Sequence, residues 1–137
     1  MVHTQQLLDQ LQEQTERYLQ KAVGEWQMLS PEHLSFRPAP DAWSAAQCLE
    51  HLNIYGRHYL PAIEKAIHQG KASGKKPAQR FHAGWLGAYF TQLMQPQQGG
   101  VLKSKMKAPK NAVPAAQPDP QRMLAEFIDQ QEKMLEL

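Results

Sequence analysis

The stretch Asp41-Ala42-Trp43-Ser44-Ala45-Ala46-Gln47-Cys48-Leu49-Glu50-His51-Leu52 decides how the rest of the chain is read. Ser44 is a residue type that accepts from a free backbone N–H at a helix start. Gln47, three positions on, can reach back to the Ser44 N–H, which completes a capping box. Behind it Cys48, Leu52, Tyr55, Tyr59, Ile63 and Ala66 recur at intervals of three and four, the spacing of a helix with one apolar stripe. Pro61 falls inside this pattern and is expected to bend the helix rather than end it. Gly70 is expected to close it.

Upstream, Pro38 and Pro40 make residues 36–43 an extended connector. Before that, Leu8, Leu11, Thr15, Tyr18, Ala22 and Trp26 form a second stripe, with Gln12, Glu13, Glu16 and Arg17 between them. The pattern predicts an amphipathic helix of roughly 25 residues. It should end near Leu29, where Ser30-Pro31-Glu32 reads as a break and a fresh cap.

Downstream, residues 71–118 form a long basic connection containing Pro and Gly. Within it Phe81, Trp85, Leu86, Tyr89, Phe90, Leu93 and Met94 predict a short helix with a dense aromatic face, weakened by Gly84 and Gly87. Residues 99–118 read as a loop. Asp119 is then a good N-cap with Pro120 at the first helical position, where its missing N–H costs nothing. Leu124, Phe127, Ile128, Gln131, Met134 and Leu135 make the third stripe, which is still running at Leu137. Three such stripes call for a fourth partner to close a bundle core. The expectation is one all-α domain over 1–137, with three long helices present and the fourth missing.

Composition excludes several function classes. The chain has 137 residues, 42% of them hydrophobic, enough for one core. A single cysteine, Cys48, excludes an internal disulfide and a cysteine-rich zinc site, and its place on the apolar stripe predicts burial. There is no apolar run of membrane-spanning length, and the first residues lack the pattern of a signal peptide, so a cytoplasmic location is expected. Residues 65–118 carry nine Lys or Arg and no Asp or Glu, so the remainder carries −7 in a chain of net charge +2. Lys103, Lys105, Lys107 and Lys110, with Trp85 and Tyr89, raise the question of nucleic-acid binding. Lysines alternating with Ser and Met form no arginine–aromatic platform, and a solvated loop is the expected reading.

Six histidines are the candidates for metal ligation or base chemistry at neutral pH. His51 and His58, seven apart, share one shoulder of the Leu52–Tyr59 stripe beside Tyr55. A first-row metal needs at least three converging ligands, which one helix does not supply at this spacing. Spacing alone therefore reads both as hydrogen-bonded histidines at the edge of the surface. His3, His33, His68 and His82 have still less company. Glu50 is suggestive only as an orienter of His51. No Gly-rich phosphate loop, serine elbow or paired catalytic carboxylates occur.

The Trp43-Ser44 helix start followed by Leu49-Glu50-His51-Leu52 resembles the DinB-like superfamily. The Leu34 to Pro40 stretch, His58-Tyr59-Leu60-Pro61-Ala62-Ile63, Lys107-Ala108-Pro109 and the last helix with its Phe127 are similar to its members as well. The resemblance implies an up-down-down-up four-helix bundle, frequently a homodimer. It also implies a divalent metal, zinc or nickel, with His51 as its first ligand and a His-x-x-x-His pair on a last helix. Family activities include thiol-dependent S-transfer and isomerisation. Only His51 carries over, since no His-x-x-x-His pair is present. Two readings of the missing helix follow: a fragment of a metal-binding parent, or a short form that completes its core with a second subunit. The function expected of the intact form is a metal-dependent thiol S-transferase or hydrolase acting on a small molecule, with the site incomplete in this chain. The rival is a non-catalytic helical interaction or dimerisation module.

Overall fold

The computed structural model describes residues 1–97, 99–101 and 105–137. Over these the chain forms, in order, β1 (Val2–His3), α1 (Thr4–Gly24), α2 (Pro31–Ser35), α3 (Ala45–Ala72), β2 (Arg80–Phe81), α4 (Trp85–Met94) and α5 (Pro120–Glu136), with 3₁₀ turns at Trp26–Met28 and Lys110–Ala112. It is an all-α structure whose only sheet among the described residues is the antiparallel β1–β2 pair, Val2 opposite Phe81 and His3 opposite Arg80.

The helix boundaries follow the capping chemistry. Ser44 Oγ accepts from the Gln47 N–H at 3.2 Å while Gln47 Oε1 accepts from the Ser44 N–H at 3.0 Å, so the capping box forms. Ser30 caps α2 and Asp119 caps α5 through their side chains, each with proline at the first helical turn. Pro61 lies inside α3 without ending it. The expected stop at Gly70 is displaced: α3 runs on to Ala72, and Gly74, at φ +66°, is the glycine that takes the left-handed turn.

α5 lies between α1 and α3 and packs on both, while α1 and α3 are not packed against each other. The core is therefore one-sided. It joins Ala22 of α1, Leu34 of α2, Leu49 of α3 and Met123, Leu124, Phe127 and Ile128 of α5, with Leu19 and Trp26 leaning on it. Each fully buried large side chain in such a cluster contributes about 1.5–3 kcal/mol. The Trp26 and Phe127 rings meet at 5.8 Å.

The expected α3 stripe is rotated, and the α1 stripe, which holds Ala22 and Trp26 inward, is only partly covered. In α3 the buried positions are Ala46, Gln47, Leu49, Asn53 and Leu60, and Cys48, Leu52, Tyr59 and Ile63 are exposed. At Gly56 the side-chain amide of Gln130 from α5 sits where a Cβ would be, with Oε1 only 1.8 Å from that position. Inward-facing Gln47, Asn53 and Gly56 are invisible to a count of apolar positions. In α1, Leu8, Leu11 and Tyr18 are exposed and Leu19 takes the inward place assigned to Tyr18. α5 covers only one flank of α1, so half of the stripe has nothing on it. No helix among the described residues is long and apolar enough to cross a membrane.

Candidate functional site

His51 sits in the second turn of α3, half-buried, where the capping box has fixed the helix start. Its Nδ1 lies 2.7 Å from the carbonyl oxygen of Ala112. A carbonyl only accepts, so Nδ1 carries the proton, and Nε2 of the neutral ring keeps its lone pair for a ligand. The ring is wedged between Trp43, 5.2 Å away between centroids, and Tyr55, 5.1 Å away and edge-on. Rotation of the imidazole would break both packing contacts and the hydrogen bond.

The strand of chain that holds His51 is itself held by α3. Glu50 Oε2 accepts from the Ala115 N–H at 2.7 Å, and Gln47 Nε2 donates to the Ala115 carbonyl at 3.0 Å. Ala112 is buried. Glu50 thus orients His51 indirectly, through the 112–115 backbone rather than by contact, which adjacent helical residues cannot make. Sequence reasoning had no access to the Ala112 carbonyl; a main-chain atom in a proline- and alanine-rich loop carries no side-chain signature.

His51 opens onto a hollow of about 610 Å³ walled by Trp43, Tyr55 and Tyr59 on one side and by Phe90, Leu93 and Met94 of α4 on the other, with Met106 and Lys107 at its rim. Tyr55 and Tyr59, stacked at 6.3 Å, form a ridge along α3. Beyond the ridge lies a second hollow of about 570 Å³, the open groove between α1 and α3. Tyr18 and Trp26 form one wall, Leu52, Tyr55 and Tyr59 the other, and Phe127 and Met134 lie on its α5 floor.

The other candidates disperse. His58 is exposed and edge-on to Tyr59, so it does not join His51. His3, His68 and His82 are exposed, and His33 pairs with Ser30 at 3.0 Å in the α2 cap. Cys48 is exposed rather than buried in the core, because the face of α3 that meets α5 is the rotated one. Partial desolvation still pushes its thiol pKa up, away from a thiolate nucleophile. Lys105, Lys107 and Lys110 are exposed or nearly so, and Lys103 lies outside the described residues.

Two ion pairs clasp α3 to α5 alongside this face. Arg57 and Glu126 form a fork, with Nη2 to Oε2 at 2.7 Å, and Lys133 Nζ reaches Glu64 Oε1 at 2.8 Å. Arg57 holds the Glu126 carboxyl below the usual carboxylate range, and Lys133 does the same to Glu64.

A divalent metal does not fit the donors present as a complete site. Among the described residues no group of three His, Cys, Asp or Glu converges to hold one. His51 stands as a single oriented imidazole, the geometry a metal ligand has when its second nitrogen is tied to a carbonyl.

Comparison with known proteins identifies the surrounding frame. No curated protein and no solved structure gives a match. A family model described as the DinB superfamily matches residues 7–137, which covers most of α1, the Trp43-Ser44 start, His51 and α5. Because that match covers almost the whole of the 137 residues, the chain belongs to the DinB superfamily.

Proposed function

We propose that this chain is the helical frame of a metal-dependent DinB-like protein in which His51 supplies one ligand to a zinc or nickel ion. The remaining donors come from a further helix or from a second subunit. The activity proposed for the assembled form is thiol S-transfer or hydrolysis of a small molecule bound in the apolar hollow beside His51. The observation that carries this reading is the Nδ1 contact of His51 to the Ala112 carbonyl, which fixes the ring and leaves Nε2 free. Placement in a reducing, cytoplasmic setting is consistent with one unpaired cysteine.

The test is calorimetric titration of the whole chain with Zn²⁺ and with Ni²⁺, wild type against His51→Ala. The reading predicts binding that drops at least tenfold in the variant. Binding that is undiminished by His51→Ala refutes it, as does a wild type that binds neither ion alone nor with the missing donors supplied by excess free imidazole.

A second reading has its own observation. The groove between α1 and α3 is an unpartnered apolar surface with Tyr18, Leu52 and Tyr59 exposed. Contiguous surfaces of this kind mark protein interaction sites, which supports a helical interaction or dimerisation module.

A further inference from the structure

The hollow beside His51 is walled largely by rings. Trp43, Tyr55 and Tyr59 stand on one side, and Phe90 faces them from α4 with Leu93 and Met94. Among the described residues α4 packs closely on no other helix. Two apolar walls therefore face each other across about 610 Å³, a volume within the range of small-molecule sites. Walls held apart in this way gain burial only when an apolar body enters between them.

Charge around the hollow has one sign. Among the described residues Lys107, exposed on the rim, is the one charged side chain in the lining, and it forms no ion pair. Neither acid in the neighbourhood neutralises it. Glu50 accepts from the Ala115 N–H, and Asp41, which shares an adjoining hollow with Lys107, is not paired to it. The α4 wall and residues 106–109 belong to the 65–118 segment, which contains no Asp or Glu.

We propose that the hollow takes an aromatic carboxylate, its flat ring system between Trp43, Tyr55 and Tyr59 on one side and Phe90 on the other, its carboxylate at the rim on Lys107. The inference rests on the reading of this hollow as the substrate site and names the class of that substrate. Ring contacts at 4.5–7 Å between centroids favour an aromatic body over an alkyl chain by about two- to tenfold in affinity. Ring faces alone would also attract a cation. Lys107 decides against one, because it repels a positive group and no acid in the lining offsets it.

The carboxylate belongs at the rim because there it keeps its water as well as the lysine, and a buried carboxylate without partners is costly. This order leaves the end of the molecule remote from the carboxylate toward the half-buried His51. The α1–α3 groove provides the contrast. It is also aromatic, through Tyr18 and Trp26, but no charged residue lines it, so it offers apolar area without a choice of charge.

The experiment is calorimetric titration of the whole chain with 2-naphthoate, up to roughly 5 mM, beyond the weakest affinity expected of a ligand of this size. 2-Naphthamide and 2-naphthylmethylammonium share its rings, and octanoate shares only its charge. Lys107→Gln changes an exposed side chain, and circular dichroism checks that helicity is unchanged. The expected result is that 2-naphthoate binds, with the amide and octanoate several-fold weaker and the ammonium compound weakest. Lys107→Gln should remove most of the preference for carboxylate over amide and leave the affinity for the amide as it was. Nuclear Overhauser contacts should run from the naphthyl protons to Trp43 and Phe90. Equal affinity for naphthoate and either the amide or octanoate overturns the proposal. So does a preference that survives Lys107→Gln, contact with Tyr18 and Trp26 instead, or no binding of 2-naphthoate. Such a failure beside metal binding that still depends on His51 overturns the substrate class alone. Naphthoate binding as expected, beside metal binding indifferent to His51→Ala, overturns the metal reading alone.

Discussion

Gly56→Ala tests the packing that positions every functional group on α3. Gly56 lies mid-helix, where alanine is favoured over glycine by about 1 kcal/mol on backbone propensity alone. An alanine Cβ built there would stand 1.8 Å from Gln130 Oε1 and 2.4 Å from its Cδ. The Gln130 amide must then swing away. It gives up donation to the Asn53 carbonyl at 3.1 Å and to Glu126 Oε1 at 3.2 Å. Two such bonds contribute about 0.5–1.5 kcal/mol each, so their loss exceeds the propensity gain. Gly56→Ala should be destabilising by about 1 kcal/mol. In a Gln130→Ala background the obstacle and both bonds are already gone, and the same substitution should stabilise by about 1 kcal/mol. The sign reversal amounts to a coupling of about 2 kcal/mol between two residues on different helices. Urea unfolding of the four proteins, followed by circular dichroism, measures it. A Gly56→Ala protein that is more stable than wild type with Gln130 present would refute the seating of the Gln130 amide over Gly56.

Phe127→Ala should cost about 3 kcal/mol, near the low end for a buried phenylalanine, because the space it leaves opens into the groove and can fill with water. Loss of its contact with Trp26 should change tryptophan emission in step. Stability should also fall in acid for a definable reason. The folded-state pKa of Glu126 is depressed by Arg57 and that of Glu64 by Lys133, so their contribution is complete above the ordinary carboxylate value of 4.5 and disappears as pH falls through and below it. Glu126→Gln with Glu64→Gln should flatten the unfolding free energy against pH in that window, measured by urea midpoints; an unchanged slope would contradict the ion pairs.

Much of the fold was legible in the sequence because caps are local. Ser44 with Gln47, Ser30 with Pro31, and Asp119 with Pro120 announce helix starts through side chains that satisfy backbone within three residues. Which face of α3 meets α5 was not legible. That depends on Gly56, Gln130 and Asn53, whose fully buried amide donates to the Met123 carbonyl at 2.9 Å, a contact made across seventy residues. Periodicity instead marked Leu52, Tyr59 and Ile63, which are apolar because they border the groove and ridge rather than the core. Of the candidate site the sequence named one residue. Family resemblance singled out His51, whereas spacing gave it no rank over His58. What separates them is a carbonyl in the 110–112 turn, and main-chain partners leave no mark in side-chain patterns.

The most direct test of the account is the tautomer of His51, read from long-range ¹H–¹⁵N correlations of the imidazole at neutral pH. The account predicts a proton on Nδ1, donated to the Ala112 carbonyl, and an Nε2 resonance that shifts on addition of Zn²⁺ while Nδ1 stays protonated. A neutral ring protonated at Nε2, with Nδ1 responding to the metal, would contradict it.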